Sequence, residues 1–146
     1  YSGGNPWGGI SADLERELVF LTTGNPGSYL QGVSRPGKNR FANSIIAFDI
    51  KNQKVLWDFQ EVEHDIWNAD LPAPPILTKI LYDSKNIDVV VAVTKLGNTL
   101  LLDRLTGKPI FSFDKFKAPL SSIPGEMTAA YQPKIELPEP FAKQFF

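Results

Sequence analysis

The chain has 146 residues, of which 42% are hydrophobic, so it can form one domain with a sizeable buried core. Its net charge of −1 comes from intermixed acids and bases, which gives no basic surface for nucleic acid or a membrane. It has no cysteine and no run of about 18 apolar residues, so a disulfide framework, thiolate zinc sites and a transmembrane helix are not expected.

Five short segments rich in apolar and β-branched residues are predicted to be strands. In chain order they are Leu18–Thr23, Ser44–Ile50, Lys54–Phe59, Asp88–Thr94 and Asn98–Arg104. Gly, Pro, Asn and Asp residues separate these segments, as is typical of strands joined by turns. Only Pro75–Tyr82 shows a weak apolar period of 3.6 residues, and it is too short to indicate a long helix. The pattern predicts an all-β fold.

Two segments of the chain repeat the same pattern. Ala47–Trp57 and Leu101–Phe111 align without gaps, at an offset of 54 residues (111 − 57). Each has an Asp near its start, then a turn, then an aromatic residue at its end. The Asp can accept hydrogen bonds from N–H groups of the turn, and we assign both aromatic residues to packing between neighbouring sheets. A four-stranded unit that recurs at roughly 40–50 residues is typical of a propeller blade.

The repeat length limits how many blades the chain can contain. At about 54 residues each, fewer than three blades fit, whereas closed propellers have four to eight. We therefore expect residues 1–146 to form one partial propeller domain that cannot close a ring alone. The blade repeats would end near Trp57 and Phe111, and 112–146 would be the loop-rich start of a further blade. The first and last residues also suggest a piece of something longer.

Chemically useful side chains concentrate in the segment Glu61–Pro75, EVEHDIWNADLPAPP, which holds the chain's only histidine, His64. The proline run at its end excludes a helix there. The segment is either a polar turn rich in acids or a loop directed at a substrate. A lone histidine is more often a structural hydrogen-bonding residue than a ligand, and we expect that role for His64.

A series of motifs runs along nearly the whole chain in a fixed order. The series is NPWGGISAD, TTGNP, SRPGKNRFANSIIAFD, HDIWNADLPAPP, TKLGNTLLLDRLTG and IPGEMTAAYQP. In this order and spacing the chain resembles an internal segment of the quinoprotein dehydrogenases. These are eight-bladed propellers that oxidise alcohols or sugars with pyrroloquinoline quinone (PQQ) and calcium.

The resemblance implies roles for individual residues. Trp7 stands where these enzymes place the indole that stacks on the quinone ring system, and Asn25 matches the amide oxygen that ligates calcium. Lys95 matches the basic residue that reaches a reactive quinone oxygen. The residue after Trp67 is, in the family, the aspartate that serves as general base and in some members as a metal ligand. Here that residue is Asn68.

Asn68 is the main departure from the family pattern. An amide oxygen can ligate a cation, but it cannot usefully accept a proton near neutral pH. Asp70 would share a strand face with Asn68 if the segment is extended, and Asp65 is also near. Either aspartate could substitute as the base, and Asp70 is the candidate catalytic residue, although both are also common in family members that keep the base. A smaller departure is Gln53, which stands where the repeat of this family prefers glycine.

The resemblance predicts a fragment of a dehydrogenase that oxidises a small alcohol or sugar by hydride transfer to PQQ, with calcium. It implies a periplasmic location, an unspecified electron acceptor and no nucleic-acid partner. Because most cofactor ligands would lie outside this chain, we expect the isolated chain to be inactive, and its uncovered propeller faces predict self-association. The alternative is a non-catalytic propeller scaffold or a degenerate paralogue, and Asn68 favours that alternative.

Overall fold

The computed structural model describes residues 3–142, and this part of the chain contains strands, turns and loops but no helix. Its strands are β1 (Ile10–Asp13), β2 (Leu18–Thr22), β3 (Ser44–Asp49), β4 (Lys54–Gln60), β5 (Ile76–Tyr82), β6 (Lys85–Val93), β7 (Thr99–Asp103), β8 (Asp114–Lys117) and β9 (Tyr131–Lys134). The all-β prediction is confirmed. Among these residues there is accordingly no apolar helix of the length that a membrane span requires.

The five predicted strands correspond to β2, β3, β4, β6 and β7. The weak helical period at Pro75–Tyr82 was misleading, because that segment is the strand β5. All seven residues of β5 pair with β6, and most of them are exposed at the edge of the sheet. Cross-strand pairing therefore sets the local structure there, and the spacing of the apolar residues does not.

The strands form three antiparallel sheets. The first has the order β1-β2-β3-β4, a meander in which each strand pairs with its neighbour in the chain, as in a propeller blade. The second contains β5-β6-β7, and where a fourth strand would follow there is a single bridge between Leu102 and Pro109. Because proline has no N–H to donate, it limits pairing at that point. β8 and β9 pair only with each other, and the assignment of 112–146 to a further blade stays a prediction.

The repeated Asp residues accept hydrogen bonds from their turns, as predicted. Asp49 Oδ1 accepts from Asn52 N at 2.9 Å, and Asp103 Oδ1 accepts from Thr106 N at 2.8 Å. Gln53 and Gly107 occupy the same place in the two turns, with φ angles of 51° and 68°. This left-handed conformation explains why the repeat prefers glycine, and Gln53 adopts it nonetheless.

Trp57 joins the first two sheets. Its Nε1 donates a hydrogen bond to Arg104 O at 3.0 Å, in the turn that follows β7. Its ring also lies so close to Gly107 that a Cβ there would be 2.5 Å from a ring carbon, and it packs on Phe20 with a centroid distance of 5.9 Å. Phe111 follows the second sheet and makes an edge-to-face contact with Tyr82 of β5, so the predicted inter-sheet packing is seen at Trp57 and not in this contact.

A single cluster of buried apolar side chains is shared by the two larger sheets. Its members come from β2, β3, β6 and β7, together with one residue of the polar segment Glu61–Pro75: Leu18, Phe20, Ile45, Ala47, Leu71, Val90, Ala92, Leu100 and Leu102. Leu71 is fully buried and so anchors that segment in the core.

We expect Gly107→Ala to lower the free energy of unfolding more than Gly37→Ala does. Both glycines have positive φ, 68° and 88°, so both variants carry the strain of a left-handed alanine, about 1–2 kcal/mol. At Gly37 the new methyl group meets nothing within 4 Å, whereas at Gly107 it meets the Trp57 ring at 2.5 Å. Overpacking typically adds about 1–3 kcal/mol. Urea unfolding measures the difference, and equal losses would contradict the docking of Trp57 on this turn.

Candidate functional site

A cavity of about 250 Å³ lies between three loops of the chain. Its lining residues are Gly3, Asn5, Trp7, Asn25, Tyr29, Asn68 and Asp70. Four of the five site residues predicted from the sequence are therefore neighbours in space, although they come from widely separated positions. The fifth, Lys95, is not among the lining residues and reaches the group through Asp70.

Trp7 leaves a large apolar surface open, with 55% of the residue exposed. Its position depends on Gly24 of the TTGNP motif, which is buried against it. A Cβ at Gly24 would lie 2.7 Å from Trp7 Nε1 and 2.9 Å from Asp70 Oδ1. Only glycine therefore allows the indole and the carboxylate to approach the same point of the backbone.

Asn25 is buried, and its amide orientation is fixed by one hydrogen bond. Its Nδ2 donates to Tyr29 O at 2.8 Å. Within residues 3–142, Asn25 Oδ1 accepts no hydrogen bond. A buried oxygen without a donor is costly unless something else satisfies it, and a cation is one such partner.

Asp70 connects the loop of Asn25 to the loop of Lys95. Its Oδ1 accepts a hydrogen bond from Asn25 N at 2.5 Å, and its Oδ2 lies 3.9 Å from Lys95 Nζ. Its backbone oxygen also accepts from Lys95 N at 3.3 Å. Asp70 is the one carboxylate among the residues that line the cavity, so it supplies the negative charge of this group.

Asn68 has a φ of 59°, so the chain turns at this residue. The extended segment on which Asn68 and Asp70 would share a strand face is therefore wrong. The two side chains line one cavity because the left-handed residue redirects the chain between them. Asparagine tolerates this conformation better than most residues.

Asp65 stabilises the loop and does not line the cavity. Its two oxygens accept hydrogen bonds from Trp67 N at 2.8 Å, Ala69 N at 2.7 Å and Asn43 Nδ2 at 2.8 Å. Burial raises the pKa of Asp65, against the lowering effect of these hydrogen bonds. With its acceptor sites engaged inside the protein, Asp65 is not placed to receive a substrate proton.

His64 is buried between two loops. Its Nδ1 lies 2.7 Å from Gly37 O, and its Nε2 lies 2.7 Å from Glu126 Oε1. Glu126 also accepts a hydrogen bond from Gly32 N at 2.5 Å. These contacts fit the structural hydrogen-bonding role expected for His64, and they place it outside the cavity lining.

Sequence reasoning missed Asn5, Tyr29 and Gly24 as residues of this site. Asn5 is the first residue of the NPWGG motif, and Gly24 lies in TTGNP, so both motifs carried a usable signal. Tyr29 contributes its backbone oxygen to Asn25. A backbone contact leaves no mark on residue type, so no signal identified Tyr29.

The cavity offers the type of oxygen ligand that a hard cation prefers, but too few of these ligands to hold one. Asn25 and Asp70 offer amide and carboxylate oxygens, the ligands that calcium prefers. Within 3–142 there is no group of three or more His, Asp or Glu side chains placed to hold a metal ion. Calcium takes about six to eight oxygen ligands, so Asn25 and Asp70 could supply only part of the ligands of such a site.

Comparison with known proteins identifies the family of this chain. The PQQ family profile described as "Glucose/ethanol/alcohol dehydrogenase, beta-propeller domain" matches residues 1–146. The "Quinoprotein glucose dehydrogenase" of Escherichia coli (strain K12) is 33% identical over 134 residues, which are 91% of this chain and 17% of that protein. The "Glycerol dehydrogenase large subunit" of Gluconobacter oxydans (strain 621H) is 33% identical over 138 residues, 91% of this chain and 19% of its own length.

The chain is also similar in fold to solved structures of dehydrogenases. The quinohemoprotein alcohol dehydrogenase of Comamonas testosteroni superposes with a TM-score of 0.68 at 32% identity, over 74% of this chain and 16% of that chain. A "Europium-containing methanol dehydrogenase" superposes with a TM-score of 0.65 at 27% identity, over 76% of this chain and 20% of that chain. The chain thus spans about a fifth of the length of its relatives. It belongs to the PQQ-dependent glucose, ethanol and alcohol dehydrogenase β-propeller family.

Proposed function

We propose that this chain supplies part of the quinone and metal site of a PQQ-dependent dehydrogenase that oxidises an alcohol or a sugar. The observation that carries the proposal is the cavity that brings Trp7, Asn25 and Asp70 together, with Asn25 Oδ1 lacking a hydrogen-bond donor among the described residues. When bound, PQQ would accept a hydride from the substrate, and calcium would polarise the quinone. The resemblance to the quinoprotein dehydrogenases implies that the intact protein would act in the periplasm.

Each residue at the cavity has a role that its surroundings support. The exposed face of the Trp7 indole offers a flat apolar surface for stacking. Asn25 Oδ1 is held in place for a cation because its amide nitrogen is engaged with Tyr29. The Lys95 ammonium would stabilise the negative charge that develops on the cofactor during the reaction.

Asp70 is the best candidate for the general base. It is the one carboxylate that lines the cavity, and its Oδ2 lies 3.9 Å from Lys95 Nζ, beyond hydrogen-bond distance. That oxygen can therefore receive the proton of a substrate hydroxyl. Asn68 lines the same cavity and can hold the substrate or a cation through its amide, but it cannot take the proton.

The second candidate function is a propeller that serves as an interaction scaffold, or a degenerate paralogue without activity. The observation that favours it is Asn68 at the position of the family's base. In a scaffold, the contacts among Trp7, Gly24, Asn25 and Asp70 would serve only to pack the loops together.

We expect Asp70→Asn to lower the rate about 10²–10⁴-fold in the intact protein, the usual contribution of a positioned base. Asn68→Asp is expected to change the rate by no more than a few-fold, because Asp70 already supplies the carboxylate. Both variants should be loaded with PQQ and, in parallel, with calcium or europium, since one structural relative is europium-containing. Bound quinone is measured in each sample, so that binding and chemistry are separated.

The opposite pattern would contradict the assignment of Asp70. A gain of about 100-fold or more in Asn68→Asp, with little loss in Asp70→Asn, would return the base role to position 68. Bound quinone without activity in the wild type and in both variants would support the scaffold.

We expect the 146-residue chain to self-associate in solution. Several large apolar side chains lie on its surface, with Leu14, Leu81, Leu120 and Met127 each more than 70% exposed. Exposed apolar side chains can form a contact face, and a blade normally packs against the next blade. Sedimentation velocity at micromolar concentration measures the size, and a clean monomer would count against the prediction.

A further inference from the structure

Glu61 is a buried carboxyl group that does not line the cavity of Trp7 and Asp70. It follows β4, is 2% exposed, and accepts two hydrogen bonds on Oε1, from Thr94 Oγ1 at 3.0 Å and from Asn98 Nδ2 at 2.8 Å. Oε2 has no hydrogen-bond partner in the described part of the chain. A side chain that only filled this space would be apolar, because burying a carboxyl group with one unsatisfied oxygen costs free energy.

The two donors close the turn that carries Lys95, residues 94–98, which we name the Lys95 turn. Thr94 N donates to Asn98 O at 3.1 Å, and Gly97 N donates to Thr94 O at 3.0 Å. One oxygen of Glu61 therefore holds the first and last residues of the turn together. It also ties this turn, between β6 and β7, to the end of β4 in the other sheet.

The Lys95 side chain has little else to direct it. Its ammonium is 3.9 Å from Asp70 Oδ2, and 42% of its side chain is exposed. Its backbone N–H donates to Asp70 O at a long 3.3 Å. The place of Lys95 beside the cavity is thus set mainly by the conformation of the Lys95 turn.

We propose that Glu61 is the positioning residue of Lys95, which it holds beside Asp70 by fastening both ends of the Lys95 turn. What Lys95 does there rests on the proposed function, whereas the fastening does not. Glu61 does not line the cavity that contains Trp7 and Asp70, so its effect on that cavity is exerted through Lys95.

Amide hydrogen exchange on the 146-residue chain tests the fastening without any cofactor. Glu61→Leu removes both hydrogen bonds, and we expect exchange at Lys95 and Gly97 to become about tenfold faster or more. Glu61→Gln keeps an acceptor oxygen and should stay within about twofold of the wild type. Glu63→Leu is the matched control, because Glu63 is two residues away and pairs with Lys38 instead.

Other outcomes overturn the proposal. Faster exchange throughout β4 and β6, or equal effects of Glu61→Leu and Glu63→Leu on the Lys95 turn, would make Glu61 an ordinary buried residue. Unchanged exchange in Glu61→Leu would do the same. If that variant does not fold, Thr94→Val removes one of the two bonds with little change of shape, and its faster exchange should again be confined to the turn.

The rate of the intact, quinone-loaded protein gives an independent measurement. Glu61→Leu alone is expected to lower kcat. Added to Lys95→Met, it should lower kcat no further, because the two residues act as a unit. Additive losses would contradict positioning through Lys95. If no variant has activity, the proposed function fails, while the exchange measurement still decides the role of Glu61.

The pH dependence of stability supplies a further prediction. Burial raises the pKa of Glu61 to about 7 from an ordinary 4.5, Asp65 adds to the rise, and the bonds from Asn98 and Thr94 oppose it. Between these two values the folded chain binds a proton that the unfolded chain has lost, so the free energy of unfolding falls as the pH rises through this window. Lys134 is a charged residue that lines the same cavity of about 410 Å³ as Glu61.

Glu61→Gln cannot titrate, so its stability should fall less than that of the wild type between about pH 5 and about pH 8. Urea unfolding across this range measures the difference, with Glu63→Gln as the control that keeps the wild-type slope. The pKa values of Asp13, Asp49 and Glu126 are lowered. Their titration therefore changes the free energy of unfolding only below about pH 4.5, outside this window. Equal slopes in the wild type and in Glu61→Gln would show that Glu61 does not titrate there.

Discussion

The docking of Trp57 on the turn of the second sheet is the contact on which the rest of the site depends. Asn25 follows a strand of the first sheet, whereas Lys95 follows a strand of the second. Their relative position is therefore only as well defined as the packing of one sheet on the other. The Trp57 hydrogen bond to Arg104 O, the close approach to Gly107 and the shared apolar core together fix that packing.

Buried polar groups hold the loop between the two sheets, where the regular backbone hydrogen bonds of a β-sheet are missing. Asp65 organises it by accepting hydrogen bonds from backbone and amide groups, and Leu71 anchors it in the core. Glu61, at the start of the same loop, reaches the Lys95 turn. A loop fixed in this way can present Asp70 at an irregular point between the sheets, where neither a strand nor a helix would place it.

Asn68 lies among residues of three loops that line one cavity. The indole of Trp7 and the carboxylate of Asp70 meet at Gly24, and Asn25 Oδ1 lacks a donor among the described residues. An asparagine amide cannot usefully accept a proton, so Asn68 itself is not suited to act as a base. Asp70 lines the same cavity and supplies a carboxylate there.

The sequence by itself determined the all-β class, the blade repeat, the capping role of Asp49 and Asp103, and which residues to test at the site. These depend on turn chemistry and short spacing, which a few neighbouring residues decide. The tertiary structure alone decided that β5 is a strand, that Asn68 turns the chain, and that Glu61 fastens the Lys95 turn. These features rest on pairings between distant residues and on the burial of a carboxyl group, and neither leaves a local pattern in the sequence.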